Sequence, residues 1–342
     1  MKSILILKRS SFGDIVHTMP VLPPLRRAFP KAKISWLTGV GYGPLVLAAG
    51  ADEAIEIGFR TMFSSGRARD YFGGLRRLRE RFDALIDFQG TVKSWLLLTA
   101  TRARRKIGFD PADAREGAVA RFYSECISPL PPGLHVIRQY LRLLRPLGIE
   151  TEAIEFPELK INPREESAVE KWLAERGVGE AAIVNPFAAW ATKRWPPENA
   201  AGFCRLLRSE LGLTPIVLWG PLEKERAEKI VEMAGGAALA APPTTRTQLI
   251  ALLRRAGLYV GGDTGPTQLA AALGVPIVAL FGPTDPQRNG PFSPEDNVIQ
   301  VTLDCDGCKR NRCTLSKDTA ECMRHIAPET VLEAARERLG LP

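Results

Sequence analysis

Apolar runs of strand length alternate with amphipathic segments of helix length along almost the whole chain. In the first half, the strand-like runs lie at residues 2–7, 33–39, 53–58 and 84–90, and helices are predicted at 15–28, from residue 91 and at 136–146. Strands that alternate with helices in this way are typical of parallel sheets covered by helices. The pattern therefore predicts an α/β domain with a parallel sheet.

The second half repeats this alternation, with strand-like runs at 181–187, 214–220, 257–263 and 275–282. Between the two halves, residues 154–166 carry two prolines and alternating polarity, which indicates a joint. We therefore expect two Rossmann-like domains facing a cleft, residues 1–158 and 159–342, with the last helix either in the second domain or packed back on the first. In such sheets, ligands bind at the carboxyl ends of the strands.

Charge distinguishes the two halves. Residues 1–150 hold 24 Lys and Arg against 13 Asp and Glu, a net charge of +11, whereas the remainder has a net charge of −3. The basic half suits nucleic acid, an anionic membrane surface or a phosphorylated acceptor, and the alternative is a generally solvated Arg-rich surface. The basic segments 76–81 and 102–106 lack the interleaved aromatic residues of a nucleic-acid platform, and some of their arginines are expected on solvated helix faces.

The apolar runs also limit the location of the protein. None approaches the ~18 apolar residues of a membrane span. The N-terminal run is interpreted as a buried strand and not as a signal peptide, because a basic pair follows it at once and no small-residue cleavage site appears. We therefore expect a cytoplasmic protein. Because the basic segments lack the aromatic residues of a nucleic-acid platform, we expect no nucleic-acid partner.

The turn after the strand at 257–263 is the sharpest local signal. Asp263 and Thr264 precede Gly265 and Pro266, where a helix must begin. Proline suits the first turn of a helix, and the backbone amides there can bind an anion such as phosphate. The alternative is an ordinary strand-to-helix turn that Asp263 or Thr264 caps.

Two further segments of the second half follow strands. Thr192 and Lys193 lie in a loop before a helix that begins with proline, where a lysine can neutralise a diphosphate or simply lie on the surface. Glu223 lies just past a strand end, where a carboxylate can accept hydrogen bonds from ribose hydroxyls.

The loop KRSSFGD after the first strand carries Ser10, Ser11, Gly13 and Asp14. Its glycine spacing matches neither the dinucleotide fingerprint nor the P-loop, which argues against a dehydrogenase or an ATPase. Asp14 can cap the following helix or act as a general base facing the cleft.

The segments RSSFGDIVHTMP, LIDFQGTVKS, KIGFDPADAREGAVARFY and DTGPTQLAAALGVPIVALFGPTDP follow one another over nearly the whole chain. In this order and spacing they resemble the heptosyltransferases of glycosyltransferase family nine, and the second and third resemble the first heptosyltransferase of inner-core assembly in particular. The resemblance implies a GT-B fold and an inverting transfer of heptose from ADP-L-glycero-D-manno-heptose to the Kdo of a lipid A precursor. It implies no required cofactor, a monomer and a peripheral position on the inner face of the inner membrane.

The resemblance also assigns roles to residues. Asp14 is expected to remove the proton of the acceptor hydroxyl, and Lys193 to stabilise the departing diphosphate. The donor is expected to contact Thr192, Lys193, Glu223, Asp263, Thr264, Gly265, Pro266 and Gln268. The acceptor is expected to contact Ser10, Ser11, Gly13, Arg60 and Arg115. The family usually has histidine at position 268, and glutamine can donate a hydrogen bond there but carries no charge.

Four cysteines form the pattern C-x2-C-x4-C-x8-C at Cys305, Cys308, Cys313 and Cys322. In a cytoplasmic protein such a cluster indicates a structural metal more than disulfides, although the spacing is not that of a standard zinc ribbon.

Three alternative functions remain open at this point. They are a related glycosyltransferase with another nucleotide-sugar donor or glycan acceptor, a nucleotide-sugar epimerase, and a non-enzymatic binder of anionic surfaces. The epimerase would need the dinucleotide fingerprint that this sequence lacks.

Overall fold

The computed structural model describes residues 1–58, 76, 78–301, 303–305, 308–316 and 320–342. They form two compact units, Met1–Lys160 and Ile161–Pro342. The sequence analysis put the joint two residues earlier, between 158 and 159. Among the described residues, no helix is both long and apolar enough to span a membrane.

The first unit is a six-stranded sheet in which every pair of neighbouring strands is parallel, in the order β3-β2-β1-β4-β5-β6. Its strands are β1 Ser3–Leu7, β2 Lys33–Thr38, β3 Glu53–Glu56, β4 Arg81–Asp87, β5 Arg102–Gly108 and β6 Glu125–Cys126. Its helices are α1 Phe12–Thr18, α2 Leu22–Ala28, α3 Gly43–Ala48, α4 Trp95–Ala100 and α5 Val136–Arg142. The strand order reverses between β1 and β4, and the carboxyl ends of these strands are therefore the place for a ligand.

The second unit has the same topology, with the parallel order β12-β11-β10-β7-β8-β9 and a reversal between β7 and β10. Its strands are β7 Ala181–Asn185, β8 Thr214–Val217, β9 Leu239–Ala240, β10 Ala256–Gly262, β11 Ile277–Phe281 and β12 Asn297–Gln300. Its helices are α6 Pro163–Ala174, α7 Pro197–Glu210, α8 Lys224–Met233, α9 Arg246–Arg254, α10 Gly265–Ala272, α11 Pro286–Asn289, α12 Glu321–Arg324 and α13 Pro328–Leu339.

The central strands are buried on both faces, as their continuous apolar sequences predict. Residues 4–7 of β1 and all five residues of β7 are buried. In the second unit, Val331, Leu332 and Ala335 of α13 join the same core as Phe203 of α7. The last helix therefore packs in the second unit, which corrects the alternative that it packs back on the first.

The predicted helix at 15–28 is in fact two helices, α1 and α2, which a 3-10 turn at Met19–Val21 separates. Pro20, Pro23 and Pro24 explain the break, because proline lacks the N–H that continues a helical ladder. The predicted strand at 84–90 lies at 81–87 instead. Gly90, with a φ of +60°, already belongs to the turn that follows.

The sequence does not predict β5, because the basic segment RARRKIG indicates a solvated helix face. In the structure it pairs with β4 and β6, and its first residues are partly exposed while Ile107 and Gly108 are buried. Arg105 makes a two-pronged contact with Glu125 of β6, at 2.7 Å from Nε to Oε1 and 2.6 Å from Nη2 to Oε2. The arginines thus lie on a strand of the sheet instead of a helix.

Candidate functional site

In the first unit, a side chain from the loop after β4 holds the loop after β1. The Oε1 atom of Gln89 accepts hydrogen bonds from the backbone N–H groups of Arg9 at 3.0 Å and Ser10 at 3.4 Å. Ser10 and Ser11 are exposed, and Gly13 lies in the first turn of α1. The two loops at the strand-order reversal are thus joined, and they present the predicted acceptor residues Ser10, Ser11 and Gly13 together.

Asp14 lies in the first turn of α1 and is half-buried. Its Oδ2 accepts hydrogen bonds from the backbone N–H of Ser11 at 2.7 Å and from the Ser11 hydroxyl at 2.9 Å, and its Oδ1 lies 3.7 Å from Nζ of Lys8. Burial opposes ionisation of Asp14, but the charge of Lys8 and the hydrogen bonds from Ser11 outweigh it and lower its pKa. Asp14 is therefore a carboxylate at neutral pH that also serves as a helix cap.

Lys8 is a buried cation beneath this carboxylate. Its Nζ donates hydrogen bonds to the backbone oxygen of Phe88 at 2.8 Å and to the hydroxyl oxygen of Tyr140 at 2.7 Å. Burial disfavours the charged form of Lys8, but Tyr140, Asp14 and Asp87 outweigh that cost and raise its pKa. Lys8 is not among the site residues that the sequence predicts, although a lysine directly after an apolar strand is a signal that could have found it.

Asp87 shapes the turn that follows β4. It is fully buried and accepts hydrogen bonds from the backbone N–H groups of Gln89 at 2.8 Å and Gly90 at 3.3 Å, and from the Tyr123 hydroxyl at 2.8 Å. Burial raises the pKa of Asp87 in spite of these bonds, and burial together with Asp87 raises the pKa of Tyr123. This pair fixes the turn that carries Gln89.

The predicted acceptor residue Arg115 is exposed, and its loop packs on the same turn. A Cβ atom on Gly90 would lie 3.3 Å from the backbone nitrogen of Arg115, and the backbone N–H of Glu116 donates to the oxygen of Gly90 at 2.9 Å. The structure thus brings the backbone of Arg115 against the turn after β4, and the Gln89 side chain of that turn bonds to the backbone of Ser10. Arg60 lies outside the described residues.

In the second unit, Lys193 and Asp263 form an ion pair at the strand-order reversal. The Nζ of Lys193 lies 2.6 Å from Oδ2 of Asp263, and only 17% and 12% of the two side chains are exposed. The same Nζ lies 4.8 Å from the centre of the Trp190 ring. A Cβ atom on Gly262 would lie 3.0 Å from the backbone oxygen of Lys193, so glycine allows the loop with Lys193 to lie against the end of β10.

A buried polar network supports the turn that contains Thr264. The Nδ2 of Asn185 donates hydrogen bonds to the Tyr259 hydroxyl at 3.0 Å and to the Thr264 hydroxyl at 3.2 Å. The Thr267 hydroxyl lies 3.2 Å from that of Tyr259 and 3.0 Å from that of Thr264. The network fixes the start of α10, and the sequence analysis missed Asn185, Tyr259 and Thr267.

α10 begins at Gly265 with Pro266 in its first turn, as the sequence predicts. Glu223 lies at the N-terminus of α8, and its Oε2 accepts a hydrogen bond from the backbone N–H of Gly220 at 2.9 Å. This carboxylate therefore closes the turn after β8. Its contact with a ribose stays a prediction.

Thr192 and Gln268 are buried, and each is engaged by another loop. The Thr192 hydroxyl donates to the backbone oxygen of Arg310 at 2.8 Å, and Nε2 of Gln268 donates to the backbone oxygen of Asn289 at 2.7 Å. These bonds tie the two side chains to the loops of Arg310 and Asn289, whereas Lys193 bonds to Asp263. Their predicted donor contacts remain predictions.

The four cysteines of the C-terminal segment line one pocket, next to Thr192 and Gly282: they are Cys305, Cys308, Cys313 and Cys322. Burial opposes ionisation of the Cys313 thiol, but hydrogen bonds from backbone N–H groups lower its pKa. Burial raises the pKa of Cys322, and the neighbouring thiols add to the effect. In the part of the chain that the structure describes, no three Cys, His, Asp or Glu side chains are arranged to hold a metal ion. The structural metal that the spacing indicates stays a prediction.

Comparison with known protein sequences identifies relatives over the whole length of the chain. The family model described as glycosyltransferase family 9 (heptosyltransferase) matches residues 74–318. The lipopolysaccharide heptosyltransferase 1 of Pseudomonas aeruginosa is 28% identical over 363 aligned residues, which cover 99% of this chain and 98% of that protein.

Solved structures show the same fold. The E. coli heptosyltransferase WaaC with ADP matches with a TM-score of 0.80 and 24% identity, covering 98% of this chain and 99% of that chain. The same enzyme with ADP-2-deoxy-2-fluoro heptose matches with a TM-score of 0.76, at the same identity and coverage. The expectation of two Rossmann-like domains in a GT-B fold is confirmed.

The position of Lys8 predicts the titration of Asp14. Replacing Lys8 by methionine removes the cation that favours the Asp14 carboxylate, so the pKa of Asp14 should rise. Carboxyl carbon NMR, with the Asp14 signal assigned from an Asp14→Asn variant, measures this pKa directly. Lys33→Met, which removes a lysine paired with Glu53 on the same sheet, is the control and should leave the Asp14 titration unchanged. An unshifted Asp14 titration in Lys8→Met would contradict the role given to Lys8.

Proposed function

Because the chain belongs to glycosyltransferase family 9, the heptosyltransferases, we propose that it transfers heptose from ADP-heptose to the Kdo of a lipid A precursor, with inversion at the anomeric carbon. One observation carries the proposal. Asp14, an ionised carboxylate of the first domain, and Lys193, a cation of the second domain, each lie at the strand-order reversal of their sheet. That WaaC has been solved with a fluorinated ADP-heptose supports the choice of donor.

Asp14 is the general base of this reaction. Its lowered pKa keeps it ionised at neutral pH, and the two hydrogen bonds from Ser11 hold its Oδ2 in one orientation. As the acceptor hydroxyl attacks the anomeric carbon, Asp14 takes its proton. Lys8 keeps the carboxylate in the proton-accepting form before the attack.

Lys193 and the backbone amides at the start of α10 stabilise the departing diphosphate. Negative charge develops on the ADP oxygens as the glycosidic bond breaks, and fixed donors at a helix N-terminus match that charge. Asp263 holds the Lys193 ammonium at the turn, at 2.6 Å. The polar network of Asn185, Tyr259 and Thr267 fixes the backbone beneath the phosphates. The scheme requires no divalent cation.

The first domain receives the acceptor at the inner face of the inner membrane, where we place this protein as a cytoplasmic, peripheral monomer. The acceptor carries Kdo carboxylates and lipid A phosphates, and the first 150 residues carry a net charge of +11. Arginine forms two parallel hydrogen bonds with a carboxylate or phosphate, which suits the exposed Arg115 and also Arg60.

A transfer assay tests the proposal most directly. Purified protein is incubated with ADP-heptose and Kdo-lipid A in detergent, and the product is identified by mass spectrometry. Release of ADP together with the glycosylated lipid supports the proposal. No product with ADP-heptose, but a product with another nucleotide sugar, would favour the related glycosyltransferase instead.

Asp14→Asn keeps the shape of the side chain but removes its basicity. We expect kcat to fall by roughly 10²–10⁴, as is typical when a general base is lost. The affinity for ADP, measured by calorimetry, should not change, because ADP binds in the second domain. Turnover close to that of the wild type would remove Asp14 from the mechanism.

Lys193→Ala leaves the mostly buried carboxylate of Asp263 without its cation beside the diphosphate. We expect the affinity for ADP to fall by roughly tenfold or more, because losing a charge-assisted contact costs about 1.5–3 kcal/mol. Lys229→Ala on α8 removes an exposed lysine of the same domain and serves as the control in calorimetry. Equal affinities of both variants for ADP would exclude Lys193 from the donor site.

Arg115→Ala, alone and together with Arg60→Ala, should raise the acceptor KM while the affinity for ADP stays unchanged. We expect an increase of roughly tenfold per lost charge-assisted contact at low salt, and a smaller one at high salt because ions screen the exposed charge. Arg145→Ala removes another exposed arginine of the first domain and is the control. Normal acceptor use by the double variant at low salt would exclude these arginines as acceptor ligands.

A further inference from the structure

An exposed apolar patch lies on the surface of the first domain. It consists of Val92, Trp95 and Leu96 on and just before α4, together with Phe122 at the end of the 3-10 segment Gly117–Phe122. These four side chains are 37–44% exposed. The rings of Trp95 and Phe122 stack, with centroids 5.8 Å apart and planes inclined by 28°. We call these four residues the apolar patch.

Packing of the hydrophobic core does not explain the apolar patch. Leu97 and Leu98 already anchor α4 by burying their side chains in the first domain. The patch residues occupy positions 92, 95 and 96, and this spacing of three and four places them on one outward stripe. The outward stripe of a surface helix is ordinarily polar, and a contiguous apolar stripe marks an interaction surface.

Basic residues flank the apolar patch. Lys93 and Arg121 are both exposed and are sequence neighbours of Val92 and Phe122. Residues 88–109 and 117–124 contain no Asp or Glu. Aromatic and aliphatic side chains with adjacent Lys and Arg fit the headgroup region of an anionic bilayer, where rings enter the interface and cations meet lipid phosphates.

The apolar patch is continuous with the predicted acceptor site. The backbone N–H of Val92 donates to Oε2 of Glu116 at 2.6 Å, and Glu116 directly follows Arg115. The same Glu116 binds the oxygen of Gly90 through its backbone N–H. A bilayer that contacts the patch would therefore place its headgroups beside Arg115, which is where a lipid-linked acceptor must present its sugar.

We propose that the apolar patch, with Lys93 and Arg121, docks the first domain onto an anionic phospholipid bilayer. Trp95 and Phe122 enter the headgroup region, and the two cations contact lipid phosphates. The proposal gives a surface to the peripheral location included in the proposed function, and it rests on that function for the membrane and for the acceptor site beside Arg115. A second copy of the chain and a protein partner are the competing occupants.

Sedimentation with vesicles tests the docking surface without donor or acceptor. The full chain is mixed with vesicles of phosphatidylethanolamine and phosphatidylglycerol, and with vesicles of phosphatidylcholine alone. We expect the wild type to bind the anionic vesicles more tightly than the neutral ones. The variant Trp95→Ser/Phe122→Ser should lose roughly tenfold or more in partition coefficient, since burial of large apolar side chains in the interface drives such binding.

Two matched variants complete the experiment. Leu47→Ser removes an exposed leucine of α3 in the same domain, 46% exposed, and should bind vesicles like the wild type. Lys93→Gln/Arg121→Gln keeps the apolar patch and should weaken binding at low salt but much less at high salt, because only its charges are removed. Thermal unfolding and ADP calorimetry confirm that each variant is folded. If the serine variant does not fold, the glutamine variant carries the test.

The proposal is overturned if neither the serine nor the glutamine variant loses vesicle binding, or if Leu47→Ser loses as much as they do. It is also overturned if sedimentation velocity shows a wild-type dimer that Trp95→Ser/Phe122→Ser dissociates, because the patch would then be an interface between copies. Transfer to detergent-solubilised Kdo-lipid A separates this proposal from the proposed function. A patch variant should keep that transfer and lose transfer on vesicles, whereas a wrong function gives no transfer by the wild type in detergent.

Discussion

The reversal of strand order beside β1 and β7 is the constraint on which the candidate site of each domain depends. In each sheet the two central strands are parallel neighbours, but the chain leaves them toward opposite edges. Their carboxyl ends therefore meet at one point, and the loops that follow them become neighbours across long stretches of sequence. The backbone of Arg9 and the side chain of Gln89 meet in this way in the first domain, and Lys193 and Asp263 in the second.

A lysine and an aspartate lie at each reversal, but the two pairs differ in which partner stabilises the other. In the first domain the lysine is buried and the carboxylate is partly open, at 3.7 Å from Nζ to Oδ1, so the cation stabilises an anion that can accept a proton. In the second domain both partners are mostly buried, at 2.6 Å, and the carboxylate holds a cation in place. The same kind of ion pair thus supports the proposed base in one sheet and the proposed phosphate contact in the other.

Surface chemistry connects the first domain to its proposed acceptor. The apolar patch and the Arg115 loop share Glu116, whose backbone and side chain bind the two turns. Bilayer contact and acceptor binding would therefore occur on adjoining surfaces of one domain. The second domain, with a net charge of −3 in its half of the sequence, would need no such surface for the proposed soluble nucleotide donor.

The sequence by itself determined the parallel strands, the Gly265-Pro266 helix start and the position of Asp14, because apolar runs, proline geometry and loop motifs are local properties. The tertiary structure alone decided what those residues contact. The hydrogen-bond acceptors of Lys8 are 80 and 132 residues away, and no local pattern encodes such pairings. β5 became a strand because its neighbours offered a ladder, despite a basic sequence. It is the fold of their segment, and not their spacing, that places the four cysteines in one pocket, where among the described residues they form no metal-binding arrangement.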